Sequence, residues 1–193
     1  MNEKDDQISS ANFWADHYGL IGEYVVKFEW ISVHLRFVMQ VMIEGAQTTH
    51  HSKIKALLAD ANVGTLLNSY RSLMRTSDRI NHFGVTVISR FHSRAIKLIE
   101  QRNEIVHGML AVGWPSDSIQ PTDKILGYKL KNRSDGATSK PISISLEELR
   151  TIIQECEKTM ILIQKMYKCY VEGGWEDIFA VTSNSLELKN QGG

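Results

Sequence analysis

The stretch IGEYVVKFEWISVHLRFVMQVM, Ile21 to Met42, decides the class of fold. Within it Ile21, Tyr24, Phe28, Ile31, Leu35, Val38 and Met42 recur at alternating steps of three and four. That is the period of a helix with one face packed against other helices. No proline interrupts it, and Gly45 follows as a natural stop. Further along, Ser52 to about Ala59 reads as a short helix carrying Ile54, Leu57 and Leu58. Gly64 to Arg75 reads as another, with Leu66, Leu67, Tyr70, Leu73 and Met74 facing inward, and a proline-free helix runs from Phe83 to about Met109. The last helix opens on Ser145-Leu146-Glu147-Glu148, a capping box, with Ile144 and Leu149 placed as a hydrophobic staple. Its expected seam is Leu146, Leu149, Ile153, Cys156, Met160, Ile163, Tyr167 and Tyr170, and Gly173-Gly174 ends it.

Helical periodicity fails between Gly113 and Pro141, a span that holds all three prolines. Two runs inside it, Lys124–Asn132 and Lys140–Ser145, alternate as strands do, and Ser134-Asp135-Gly136 between them reads as a turn. The expected fold is therefore all-α: an up-and-down bundle of four main helices, with a small β-hairpin inserted at about 110–144 before the last. A chain of 193 residues suits one core. The expected organisation is a single domain at 13–180, between a frayed start at 1–12 and a frayed tail at 181–193.

Hydrophobic residues make up 42% and charged residues 23%, the composition of a folded soluble protein. Basic and acidic side chains balance at 22 each, so no global field draws the chain to nucleic acid or membrane. No apolar run reaches membrane-spanning length, and the polar, acidic first ten residues resemble neither a signal nor a transit peptide. Cys156 and Cys169, if both lie on the last helix, stand about 20 Å apart, beyond disulfide reach. They are also too few for a structural zinc site. The reading is a reduced, cytoplasmic chain with no metal, no cofactor and no membrane partner. Charge is uneven locally: from Arg71 to Arg102 seven basic side chains face only Asp78 and Glu100. Such a window hints at a polyanion.

On a helix from Phe83 to Met109, an arc centred on Asn103 gathers Val85, Ile88, His92, Ala95, Ile96, Ile99, Val106 and His107. Phe91, Leu98, Arg102 and Ile105 extend it, while Arg90, Arg94, Lys97, Glu100, Gln101 and Glu104 face away. Arg102, Asn103 and His107 thus sit among apolar residues, where an unpaired polar group costs roughly 1–3 kcal/mol. They need partners or a task. Asn103 and His107 stack four residues apart, but Arg102 and His107 diverge by about 140° on an ideal helix. One helix aims both at one atom only if the arginine curls round or the helix breaks near Gly108; otherwise a second copy across a two-fold axis supplies the missing group. The apolar arc, about 200° wide, also suits an interface.

The run Arg102-Asn103-Glu104-Ile105-Val106-His107, followed by Gly108, resembles the Arg-Asn-x-x-x-His signature of the HEPN superfamily. The resemblance implies a helical bundle that forms a homodimer with a composite cleft built from two copies of the motif. It further implies a metal-independent endoribonuclease acting on RNA, with an antitoxin or other partner protein, in toxin–antitoxin, antiphage or stress responses. By that resemblance His107 exchanges protons with the RNA 2′-hydroxyl and leaving oxygen, Arg102 holds the scissile phosphate, and Asn103 orients both. The chemistry agrees: histidine titrates near neutrality and arginine is the planar, bidentate phosphate binder. One departure is Met109, which stands where toxins modified by a partner nucleotidyltransferase carry a tyrosine, so that modification is not implied here. The alternative reading is a non-catalytic dimerisation or RNA- or nucleotide-binding module. Arg71, Arg75 and Arg79, spaced i, i+4, i+8, are the candidate RNA-binding row, or else a solvated face. Trp114 either stacks a base or closes the end of the bundle.

Overall fold

The computed structural model describes residues 3–45, 51–110, 124–133, 136–182 and 185–189. The chain is mainly helical, with two small antiparallel sheets. The helices are α1 (Glu3–Glu44), α2 (His51–Ala59), α3 (Val63–Arg75), α4 (His82–Val106), α5 (Leu146–Glu172) and the short α6 (Trp175–Ile178). The strands are β1 (Met109–Leu110), β2 (Lys124–Arg133), β3 (Gly136–Ser145), β4 (Phe179–Val181) and β5 (Leu186–Leu188). Among the described residues no helix is long and apolar enough to cross a membrane. The chain divides into two compact units, one of residues 1–28 and 100–155 and the other of residues 29–99 and 156–193.

The periodicity of α1 is met along most of its length: Tyr24, Phe28, Ile31, Leu35 and Val38 are buried, while Ile21 and Met42 at its ends are half-buried. The helix ends where Gly45 takes a positive φ of 69° and its N–H donates to Val41 O at 2.8 Å. A side chain with a Cβ is disfavoured in that left-handed conformation. Expected to fray over residues 1–12, the backbone is already helical from Glu3.

In the unit of residues 1–28 and 100–155, β2 and β3 form the expected hairpin, in register from Lys124↔Ser145 to Arg133↔Gly136. Ser134 and Asp135 of the expected turn lie outside the described residues, as does Trp114. Gly136 opens β3, so that strand starts four residues before the expected Lys140. Ile125 and Ile144 face each other across the ladder and are buried. β1, which sequence reading takes for the last residues of a helix, adds a third strand by pairing with Tyr128 and Gly127. A two-residue strand carries no periodicity of its own to read.

The capping box is present in full. Ser145 N–H donates to Glu148 Oε2 at 2.7 Å, and Glu148 N–H donates to Ser145 Oγ at 3.1 Å. The Ser145 N–H, and then the Ser145 hydroxyl donating to the same Oε2 at 3.0 Å, hold the Glu148 carboxyl below the usual carboxylate range. Of the expected α5 seam Leu149, Ile153, Cys156 and Ile163 are buried, while Leu146 and Met160 are half-buried and Thr159 is buried next to Met160. Met166 and Cys169 are buried, whereas Tyr167 and Tyr170 are half-buried. A tyrosine keeps its hydroxyl wet by lying at the edge of an apolar face, while methionine and cysteine have no such demand. Both cysteines are buried on this helix and neither is in a disulfide, and burial pushes the Cys169 thiol up to about 11.

In the unit of residues 29–99 and 156–193, Asn62 caps α3 by accepting from Thr65 N at 2.9 Å. The Arg36 guanidinium donates to the carbonyls of Leu58 at 3.1 Å and Ala61 at 2.8 Å, which closes the end of α2. The segment 181–193, expected to fray, instead supplies β5, which pairs with β4 in the register Phe179↔Leu188 to Val181↔Leu186. Leu186 and Trp175 are buried there. Gly84 makes room for the indole: a Cβ on it would stand 3.1 Å from the Trp175 ring.

Ser145→Ala removes an N-cap and should lower the unfolding free energy by about 1 kcal/mol, read by urea titration. The sign with pH is fixed. The folded-state acidity constant of Glu148 is depressed, so its contribution is present above the unfolded carboxylate range and is lost as pH falls through the folded value. The stability gap between parent and variant should therefore narrow on acidification without closing, because the residue-145 N–H bond to Glu148 survives the substitution and the lost bond from Glu148 N–H to Ser145 Oγ does not titrate.

Candidate active site

Along α4 the buried side chains are Val87, Ile88, Phe91, Ala95, Leu98 and Ile105. At 100° per residue Arg102 stands within about 20° of the middle of that row. The centre is thus about 120° round from Asn103, where the sequence arc had been placed. Val85, His92, Ile96, Ile99 and Val106 are half-buried flanks. Apolar identity alone weights all of these equally. The bulk of Phe91 and Leu98 sets the face that packs.

Arg102 meets this position by keeping its stem inside and its head at the rim, as long cationic side chains do. It is half-buried, with its guanidinium 5.7 Å from the centre of the Phe28 ring. Its Nη1 lies 2.9 Å from Nε2 of His107, which is exposed. The geometry answers the 140° problem by the second of the routes open to one helix. α4 ends at Val106, three residues short of the expected Met109, and His107 lies in the turn that follows. Freed from helical direction, the imidazole swings back onto the arginine.

The proton inventory of this contact is restrictive. Guanidinium only donates, so Nε2 must accept, which places the imidazole proton on Nδ1 and leaves the ring neutral. Asn103 is half-buried beside the pair, and among the described residues no hydrogen bond engages its side-chain amide. A neutral imidazole, a fork of N–H donors and a free amide are thus gathered at one helix end.

The hairpin holds that end in place. Lys129 on β2 and Lys140 on β3 are directly opposed in the ladder, an arrangement that repels if both charges are left bare. Each is taken up by α4. Lys129 Nζ donates to Asn103 O at 2.9 Å, and Lys140 Nζ sits 2.6 Å from Glu104 Oε1. The last carbonyls of a helix lack partners and carry negative dipole charge, so a lysine there serves both needs. Gly108 permits the approach. A Cβ on it would collide with Ile142 Cδ1 and stand 2.8 Å from Glu104 O. Its φ is not positive, so the requirement is space rather than a left-handed backbone.

Sequence reading missed Lys129, Lys140 and Phe28. The lysines are set opposite each other by the register that pairs Arg133 with Gly136, one residue tighter than the expected Ser134-Asp135-Gly136 turn allows. Phe28 was read as core only. A groove in the same unit, floored by Ile105, Ile142 and Ile144 and edged by Glu104 and Glu147, contains none of the three motif side chains.

The candidate RNA-binding arginines belong to the other unit. They do not form one helical row, because α3 ends at Arg75 with Thr76 as its cap. Arg79 lies in the following turn, its guanidinium 5.6 Å from the centre of the Tyr170 ring. Arg75 is exposed and Arg71 half-buried, with Nε of Arg71 shielded from solvent and without a hydrogen-bond partner. His92 shares its Nε2 with Asn68 Oδ1 at 2.8 Å. Burial, and then the nearby Arg71 charge, hold the His92 ring below the usual histidine range.

No family model, curated protein or solved structure matches this chain.

Nitrogen-15 spectra of the imidazoles test the inventory. His107 should be the Nδ1–H tautomer in the parent, and Arg102→Ala should return it to the Nε2–H form that free histidine favours. An Nε2–H signal in the parent would contradict the contact.

Proposed function

We propose that the chain is a HEPN-like, metal-independent endoribonuclease. In this reading α1, α3, α4 and α5 make an up-and-down bundle that works as a homodimer. The observation that carries it is the 2.9 Å approach of Arg102 Nη1 to His107 Nε2, with the Asn103 amide free beside them.

The chemistry follows from exchange of partners. An arriving phosphodiester presents two non-bridging oxygens, which match the arginine fork better than a single imidazole nitrogen does. Arg102 turns its donors to the phosphate, and the Nε2 lone pair of His107 is released. It then takes the proton of the adjacent 2′-hydroxyl. The 2′-oxygen attacks phosphorus, the bond to the 5′-oxygen breaks, and that oxygen leaves with a proton from solvent. The products are a 2′,3′-cyclic phosphate and a 5′-hydroxyl. Negative charge builds on the phosphoryl oxygens at the transition state, where Arg102 opposes it. Asn103 supplies an amide that can hold the 2′-hydroxyl or the imidazole in line. Arg71, Arg75 and Arg79 serve as contacts to the RNA backbone, and the biological setting is a toxin–antitoxin, antiphage or stress response.

A second reading draws on the same contact. Arg102 and His107 satisfy each other, and Arg102 fills a place in a buried row, which also suits a binding or dimerisation module that needs a firm helix end.

Purified protein incubated with mixed structured RNA in excess EDTA separates the two. Cleavage should proceed in the parent and fall by about 10²–10⁴-fold in His107→Ala, and by about 10²–10³-fold in Arg102→Ala, while both variants stay folded. No cleavage by the parent, together with loss of stability in both variants, would make the binding module the better account.

A further inference from the structure

α1 carries a second apolar seam that the core does not use. Val26, Trp30, Val33 and Phe37 repeat at steps of four, three and four, and they are 55%, 53%, 56% and 62% exposed. On a helical projection they fall within a stripe about 60° wide, on the face opposite Tyr24, Phe28, Ile31, Leu35 and Val38. A tryptophan and a phenylalanine left half in water on one line of one helix is not the scatter of single apolar residues that ordinary surfaces show.

The shape of the stripe selects its occupant. A narrow seam with a repeat of three and four is what a facing helix reads, knob into hole. A membrane surface would instead select a broad apolar face flanked by lysine and arginine. Here the flanks are of mixed sign, with Glu23 and Glu29 beside Lys27 and Arg36.

The order of residues selects which helix. Large and small side chains alternate along the seam as Val26, Trp30, Val33, Phe37. Two copies of α1 laid antiparallel, with the two-fold axis between Trp30 and Val33, set every aromatic against a valine. Trp30 meets Val33 and Phe37 meets Val26, in both directions. A parallel pair would stack tryptophan on tryptophan and valine on valine, giving layers too thick and too thin in turn. The area is of the right order. Aromatic side chains cover roughly 150–250 Å² each, so the four exposed residues offer on the order of 400 Å² of apolar surface per copy. A specific dimer buries about 800 Å² per partner, of which the apolar centre is about half to two thirds.

We infer that α1 is the dimerisation helix of this protein, and that its occupant is α1 of a second copy, antiparallel, through Val26, Trp30, Val33 and Phe37. The inference goes beyond the ribonuclease reading and does not rest on it: Phe28, on which Arg102 packs, lies on the opposite face of α1, so this contact does not join the two motifs. It also places the contact away from the apolar face of α4, whose central row is already buried within the chain.

Sedimentation of the full chain across concentration tests it, beside Val33→Glu. The parent should be a dimer in the micromolar range. The variant should be a monomer with unchanged helical circular dichroism, because residue 33 faces water in the single chain, and with a thermal midpoint that no longer depends on protein concentration. A monomeric parent, or a Val33→Glu protein that remains dimeric, overturns the proposal. Direction is tested by oxidising cysteine variants. Val26→Cys mixed with Phe37→Cys should yield a disulfide-linked heterodimer, and neither alone should cross-link. Cross-linking of Val26→Cys with itself would overturn the antiparallel arrangement. The two readings fail separately. A monomer that cleaves RNA in EDTA removes the interface and keeps the nuclease, whereas a dimer dissolved by Val33→Glu that never cleaves keeps the interface and removes the nuclease.

Discussion

A guanidinium and an imidazole five residues apart point in diverging directions on one helix, and here they meet because that helix stops between them. This constraint organises the end of α4. Had the helix run on through His107, the two side chains would have diverged by about 140°. Instead it ends at Val106, and the 2.9 Å contact becomes available. Stopping a helix leaves its final carbonyls without partners, however, and such groups are costly if they are also cut off from water. The termination therefore needs a structure to receive it, and the three-stranded sheet is that structure. Lys129 donates to one of those carbonyls, Lys140 pairs with Glu104, and β1 continues the chain directly from Gly108 into the sheet.

The same constraint explains why the two lysines face each other in the hairpin. Opposed like charges weaken a ladder, and a hairpin on its own would gain from replacing either one. Docked on α4 the pair changes sign in effect. One charge meets the negative end of the helix dipole, the other a carboxylate, so the sheet is stable in its register because the helix end is there. The dependence is mutual. Ile142 closes against Gly108, where any larger residue would hold the strand away from the helix.

Legibility of all this in the sequence follows the range of the interactions. α1, the hairpin and the capping box at Ser145 are set by neighbours within a few residues, and their patterns were readable. The end of α4 was placed at Met109 because nothing within its own sequence forbids three more helical residues; the strand that captures Met109 and Leu110 arrives from residues 127–128. β4 and β5 were missed for a like reason, since a polar tail gives no sign that Leu186 is buried or that Trp175 finds room beside Gly84. Of the three motif side chains, Arg102 was legible as a residue out of place on an apolar face, whereas Asn103 is half-buried to one side of that face and His107 is exposed beyond the helix end. Their mutual geometry was not legible, because it depends on where the helix stops. The arginine row is a different case: α3 ends at Arg75, as its sequence suggests, so the i, i+4, i+8 spacing does not carry on to Arg79.

α1 shows how a correct reading can still be partial. Its core seam and its exposed seam stand on opposite faces, so their contributions to amphipathicity cancel, and a search for one apolar face finds the seam with more members and stops. Spacing could not have ranked the two, since both step by three and four. Burial separates them, because Tyr24 and Leu35 are fully covered while Trp30 and Phe37 remain more than half exposed. A helix that is apolar on two sides while only one side is covered within its own chain has a surplus of the interaction that drives folding. The physical question is then what covers the other side, and the alternation of valine with aromatic along the seam makes a second copy of the same helix the occupant that fits it.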